Sequence, residues 1–403
     1  MDKKYILDTV ENKEFLRKLR EELLLFGGNF ASPGGSSYYL GDDGTPWPDR
    51  PRETWITSRM VHVYSMGVLL AHEGSKELAD AGLKGLMDEL KDKDKGGWYA
   101  GITATGEILP NKQCYAHAFV ILAATSALLA KREGAGALLE EALRLYDERF
   151  WNEEEGLAAD IWDTDFTKLD DYRGLNANMH SVEAFLAVAD ATGDDVYRQR
   201  AGRIIEKVIG WAENNNWRIP EHFDSGWVAD LECNKDRPDD PFKPYGATPG
   251  HGIEWARLIV QWATSTFSKD EVKLTEYVKA AEELYNRAIT DAWNADGEPG
   301  IVYTTDWDGN PVVHDRMHWT LAEAINTSAV LYRVTGLNNY LDEKVHDKKN
   351  GSWFHQMDAS NRVIGTVWPG KSDIYHAIQS TLIPYLPVSV SVASNIKREA
   401  IKL

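Results

Sequence analysis

The chain has 403 residues, 43% of them hydrophobic, and 44 basic against 63 acidic side chains give a net charge of −19. That is enough apolar mass for a large core, and the acidic balance excludes a protein that grips nucleic acid through a basic stripe. No apolar run reaches the roughly 18 residues of a membrane span, and MDKKYILDTV lacks the apolar segment of a secretory signal, so a cytoplasmic location is expected.

In chain order, amphipathic and apolar helices alternate. ENKEFLRKLREELLLFG (11–27) carries a single apolar stripe; WITSRMVHVYSMGVLLA (55–71) is apolar nearly all round; LADAGLKGLMDELKDK (78–93) is striped again. QCYAHAFVILAATSALLA (113–130) is followed by AGALLEEALRLYDERF (135–150), and NANMHSVEAFLAVADATG (176–193) by VYRQRAGRIIEKVIGWAEN (196–214). GHGIEWARLIVQWATS (250–265) precedes EVKLTEYVKAAEELYNRAITDAW (271–293), and HWTLAEAINTSAVLYRVTG (318–336) and SDIYHAIQSTLIPYL (372–386) complete the apolar set. With Arg59, His117, His180, His251, Trp319 and His376 as markers, the apolar segments recur at steps of 57 to 71 residues. Two helices per unit at such a period indicate a repeat architecture. Inner helices are covered on both faces and outer ones meet water on one, so the pattern describes an all-α (α/α)6 barrel formed by a single domain, 1–403.

The connections fit that plan. Segments 94–113 and 296–316 each hold a short aromatic run and a Gly-containing turn, TATGE or WDGN, which predicts small β-hairpins. The longest connection, 215–249, has little helical pattern, and loops of that length often serve as lids or walls. Only a short stretch, 337–350, stands where another outer helix is due.

Each inner segment opens with polar or ionisable groups, which would gather at one end of the barrel. His251 and Glu254 are three apart, as are His180 and Glu183, and so share a helical face; Asp373 and His376 reverse the order. Trp319 and Glu323 are four apart, and Arg59 and His117 open their own helices. A carboxylate near a helix N-terminus is stabilised by the dipole, but an imidazole there is not made more basic, so repeated histidines serve no evident stability purpose. The 15 Trp and 17 Tyr suit either a sugar-binding cleft or a large core. Two imidazoles, an arginine and glutamates beside aromatic rings suit proton transfer next to a carbonyl. One imidazole would open a sugar ring, another would carry a proton from C2 to C1, and Arg59 would hold the enediolate charge.

Other chemistries find less support. There is no H-E-x-x-H, Cys–His set or His pair at i,i+4, and Cys114 and Cys233 are far apart, so no metal is expected. G-x-S-x-G and the phosphate-cradling motifs are absent. A glycosidase with two opposed carboxylates stays open, since Glu183, Glu254, Glu323 and Asp373 are available. So does a non-catalytic sugar-binding module.

The motifs TPGHGIEW, NANMHSVEAFL, WITSRM-VHVYS, KSDIYH and GGWYA resemble the acylglucosamine 2-epimerase superfamily, above all its aldose–ketose isomerases acting on mannose or sulfoquinovose. The likeness runs from about Trp55 to Pro384. It implies an (α/α)6 barrel, no cofactor, and interconversion of mannose and fructose, with lyxose as a further substrate; 2-epimerisation through the same enediolate is the alternative. It also implies roles. His251 would serve ring opening, and His376 the C2–C1 proton shuttle. Arg59 and His180 would contact sugar oxygens; Asn176, Glu254, Trp319 and Glu323 would line the pocket, with Trp55 and His117 as further neighbours. Sulfosugar isomerases carry an arginine shortly before TPGH, where this chain reads Pro241, Phe242 and Lys243, which favours plain mannose. The expected partner is a monosaccharide, with no nucleic acid or membrane; self-association is left open.

Overall fold

The computed structural model of the chain describes residues 3–336 and 352–399, so the short 337–350 segment lies outside the described residues. The expected helices form: α1 (Val10–Phe26), α2 (Thr54–Leu69), α3 (Ser75–Met87), α4 (Cys114–Leu129), α5 (Ala135–Arg149), α6 (Leu175–Thr192), α7 (Val196–Glu213), α8 (Pro249–Thr266), α9 (Glu271–Ala292) and α10 (His318–Thr335). Burial follows the patterning. Of the 16 residues of α4, 14 are buried, whereas α3 buries 6 of 13 and turns the rest to water.

Two differences concern the C-terminal end. The expected helix over 372–386 is confined to α11 (Tyr375–Ser380), followed by a 3₁₀ turn, Ile383–Tyr385. Pro384 has no N–H for the next helical bond and its ring would strike the preceding turn. The Ser380 and Thr381 hydroxyls meanwhile donate back to the carbonyls of Ala377 and Ile378, a local alternative to helix continuation. Beyond it, a helix that the patterning does not announce, α12 (Val392–Glu399), packs on α2, α4 and α6.

The chain divides into two compact units. One comprises Leu24–Ile204, Ser372–Tyr375 and Val390–Leu403; the other Met1–Leu23, Ile205–Lys371 and His376–Ser389. In the first, α2 packs against α3 and α4, and α4 against α5 and α6; in the second, α8 packs against α9 and α10.

The hairpins are present. Thr103 and Glu107 close one between Ile102 and Ile108, and Thr304–Thr305 pairs with Pro311–Val313 around the other. A second pairing joins successive repeats. The strand before α2 (Arg52–Glu53) pairs with Gly101–Ile102, the strand before α4 (Lys112–Gln113) with Ile161–Trp162, and the strand before α10 (Arg316–Met317) with Gln356–Met357. Each of these inner helices is thus entered from a fixed strand, which sets the direction of its first-turn side chains. None of the described helices is long and apolar enough to cross a membrane.

Candidate active site

The start of α8 is built to present His251. Thr248 is extended at the N-cap and Pro249 opens the first turn, where its missing N–H costs nothing. Gly250 follows because a Cβ there would lie 2.6 Å from the Trp319 ring. The indole can therefore lie across the helix start, its centroid 5.1 Å from that of His251. It also meets His376, the second residue of α11, at 5.9 Å. Two imidazoles 125 residues apart in sequence thus contact one indole within one unit.

Each imidazole is oriented by a buried carboxylate. His251 Nδ1 lies 3.0 Å from Glu221 Oε1, and His376 Nδ1 lies 3.0 Å from Glu323 Oε1. A carboxylate only accepts, so Nδ1 carries the proton in both rings and Nε2 is the basic nitrogen of the neutral form. Glu323 is fully buried. Burial alone would raise its carboxyl, but Arg257, 2.8 Å away at Nε, and His376 outweigh it and hold the acid below the usual range. Arg257 also donates to Glu254 at 3.3 Å.

Glu254, Glu323 and His376 place potential ligand atoms within 4.8 Å of one another. These donors suit a cation poorly, because Arg257 already supplies positive charge to both carboxylates and Glu323 also accepts from Asn326.

The other unit gathers a second set. Arg59 is buried and donates to Asp373 at 3.2 Å and to the Tyr115 hydroxyl at 2.9 Å. Its guanidinium lies 4.5 to 4.8 Å from the ring centroids of Phe119, Tyr375 and Trp55, a cation–π cage. Burial opposes its charge, but Tyr115 and Asp373 more than offset this and keep it firmly protonated. His180 contacts the Phe119 ring at 4.5 Å and Glu183 at 3.3 Å, and Glu183 also accepts from the Tyr375 hydroxyl. Asn176, in the first turn of α6, has its side-chain oxygen buried with no hydrogen-bond partner among the described residues.

Among the residues singled out from sequence, His251, Glu254, Trp319, Glu323 and His376 come together in one unit, and Trp55, Arg59 and His180 in the other. His117 does not join them. Its Nδ1 donates to the Gln113 carbonyl at 2.7 Å and its Nε2 accepts the Trp98 amide at 3.1 Å, an arrangement that serves the fold. Sequence reasoning missed Glu221, Arg257, Tyr115 and Tyr375. A signal existed for the tyrosines, since each stands in the first turn of an inner helix, like Trp55 and Trp319. Glu221 lies in the patternless 215–249 connection and gave none.

The family described as N-acylglucosamine 2-epimerase (GlcNAc 2-epimerase) matches residues 34–380. A protein of Thermobifida fusca named D-mannose isomerase is 40% identical over 88% of this chain and 89% of its own length. Another of that name from Pseudomonas cannabina pv. alisalensis is 41% identical over 85% of each. A crystal structure of a D-mannose isomerase superimposes with a TM-score of 0.83 at 26% identity, covering 92% of this chain and 97% of that one. The fold class is the (α/α)6 barrel that the alternating helices predicted. The chain belongs to the N-acylglucosamine 2-epimerase family.

Proposed function

We propose that the chain is an aldose–ketose isomerase that interconverts D-mannose and D-fructose, acting as a single catalytic domain in the cytoplasm without a metal. The observation that carries this reading is the pair of carboxylate-oriented imidazoles that both contact the Trp319 indole. Relatives about 40% identical that are named D-mannose isomerase point to the same sugar.

The chemistry follows from the tautomers. His251 Nε2 takes the proton of the sugar O1 hydroxyl as the ring opens, and the resulting imidazolium returns a proton to O5. His376 Nε2 then removes the proton on C2, giving a cis-enediolate with its charge on O1; the O2 hydroxyl proton passes to O1, and His376 delivers its proton to C1 as the C2=O2 carbonyl of the ketose forms. Glu221 and Glu323 stabilise the transient imidazolium in each case, a role worth most where water is excluded. In the other unit, the caged charge of Arg59 suits the negative oxygens of an enediolate. His180 and Asn176 there suit sugar hydroxyls and Trp55 a sugar's C–H face, while Glu254 and Trp319 stand beside His376.

Incubation with D-mannose in the presence of EDTA, with fructose and glucose resolved in the products, tests the reading. Fructose is expected. Glucose as the main product would turn the same intermediate into a 2-epimerase. No turnover, or activity restored only by a divalent ion, would overturn the metal-free isomerase; hydrolysis of a mannoside without mannose turnover would favour a glycosidase.

A further inference from the structure

His318 and His355 belong to no step above, yet both are buried, 6% and 5% exposed. Their rings lie face to face with centroids 3.8 Å apart and planes only 6° from parallel. His318 is the first residue of α10, immediately before Trp319, and its ring meets His376 edge-on at 6.2 Å. The chain thus spends two buried polar rings on a stack one ring away from a proposed proton carrier.

We propose that His355, acting through His318, is a positioning residue for His376. This rests on the assignment of His376 above. The physical reason lies in the unequal support of the parts. His376 stands on α11, which has only six residues, too few to hold a helix by its own hydrogen bonds. The direction of its ring is therefore set by what it touches on α10: the Glu323 carboxylate, the Trp319 indole and the His318 edge.

Of these, His318 is tied to the chain that carries His355. Its backbone N–H donates to the His355 carbonyl at 3.2 Å, next to the strand pair that joins Met317 to Gln356. Gln356 is in turn fixed from four sides. Its amide nitrogen donates to Asp315 at 2.6 Å and Thr366 at 3.0 Å, and its oxygen accepts the Val367 and Trp368 amides at 2.9 Å each. The main chain that carries His355 is thus anchored, and its ring faces that of His318. The His355 ring presses the His318 ring into one rotamer, and the first turn of α10 presents that edge to His376. A proton carrier displaced by a fraction of an ångström loses rate steeply, while ground-state binding depends on it less.

The test is a pair of substitutions at one position. His355→Ala removes the ring, and kcat for mannose should fall roughly tenfold with KM within about twofold. His355→Phe restores a flat ring without ring nitrogens, and kcat should return to within about threefold of the parent. Assays run well below the Tm of each variant separate positioning from unfolding. An Ala variant with parental kcat, or a Phe variant no faster than Ala, would overturn the inference. His376→Ala run alongside separates the two claims: its full activity would remove the reading on which the proposal stands, whereas its inactivity beside a fully active His355→Ala removes only the proposal.

Discussion

Histidines open or enter inner helices in both units, but their surroundings differ. In the unit that holds α2, α4 and α6, His62 bonds through Nδ1 to Ser126 and His117 has main-chain partners at both nitrogens. Burial pushes both down to about 4, so they stay neutral and inert at neutral pH. In the unit that holds α8 and α10, His251 and His376 instead meet a carboxylate at Nδ1, as His180 does with Glu183 in the first unit. A carboxylate partner makes an imidazolium affordable, whereas a hydroxyl or a carbonyl in an apolar setting does not compensate the charge. The same residue type at a similar helical position is thus a piece of the fold in one place and a proposed proton carrier in the other. The acid beside it makes the difference.

The largest effect tests that contrast directly. His376→Ala and His251→Ala should each lower kcat/KM by roughly 10² or more, the usual scale for a positioned acid or base. The measurement is mannose turnover, and parental activity in either variant would erase the contrast. Next in size is Arg59→Lys. The caged guanidinium cannot be replaced by an ammonium that reaches Asp373 and Tyr115 in the same geometry. We expect kcat to fall roughly tenfold while KM changes little, as for a group that acts on the transition state; a change in KM alone would assign Arg59 to ground-state binding.

The smallest effect on activity concerns the inert histidines. Their folded pKa lies below the unfolded value near 6.5, so the unfolded chain takes up protons first as pH falls. Stability is full above about 6.5 and is lost as pH drops through the window down to about 4. Each contributes a loss of about 2 kcal/mol between pH 7 and pH 5. Urea denaturation of His117→Gln at the two pH values should show the difference shrink by about that amount, with turnover at pH 7 nearly unchanged. An undiminished difference would mean that His117 titrates normally in the folded protein.

Much of the fold was legible in the chain. The alternation of all-round apolar and striped helices marked inner and outer elements, and α4 against α3 bears this out in burial. The hairpin turns were legible from TATGE and WDGN. The early end of α11 was not legible in the helical periodicity, which continues past Pro384. Part of the site was equally visible, since polar residues in the first turn of a buried helix stand out against their surroundings. Glu221 was not visible, because nothing in a patternless loop tells which of its acids will meet a histidine 30 residues later.

Sequence by itself determined which helices face inward and which residues stand at their first turns, because helical period and hydrophobicity are local properties that a chain carries before it folds. Tertiary structure alone decided which imidazole meets a carboxylate, which has its nitrogens taken by main chain, and which two rings share one indole. Those outcomes depend on distances between residues remote in the chain, and both the charge an imidazole can bear and the nitrogen that carries its proton follow from those distances.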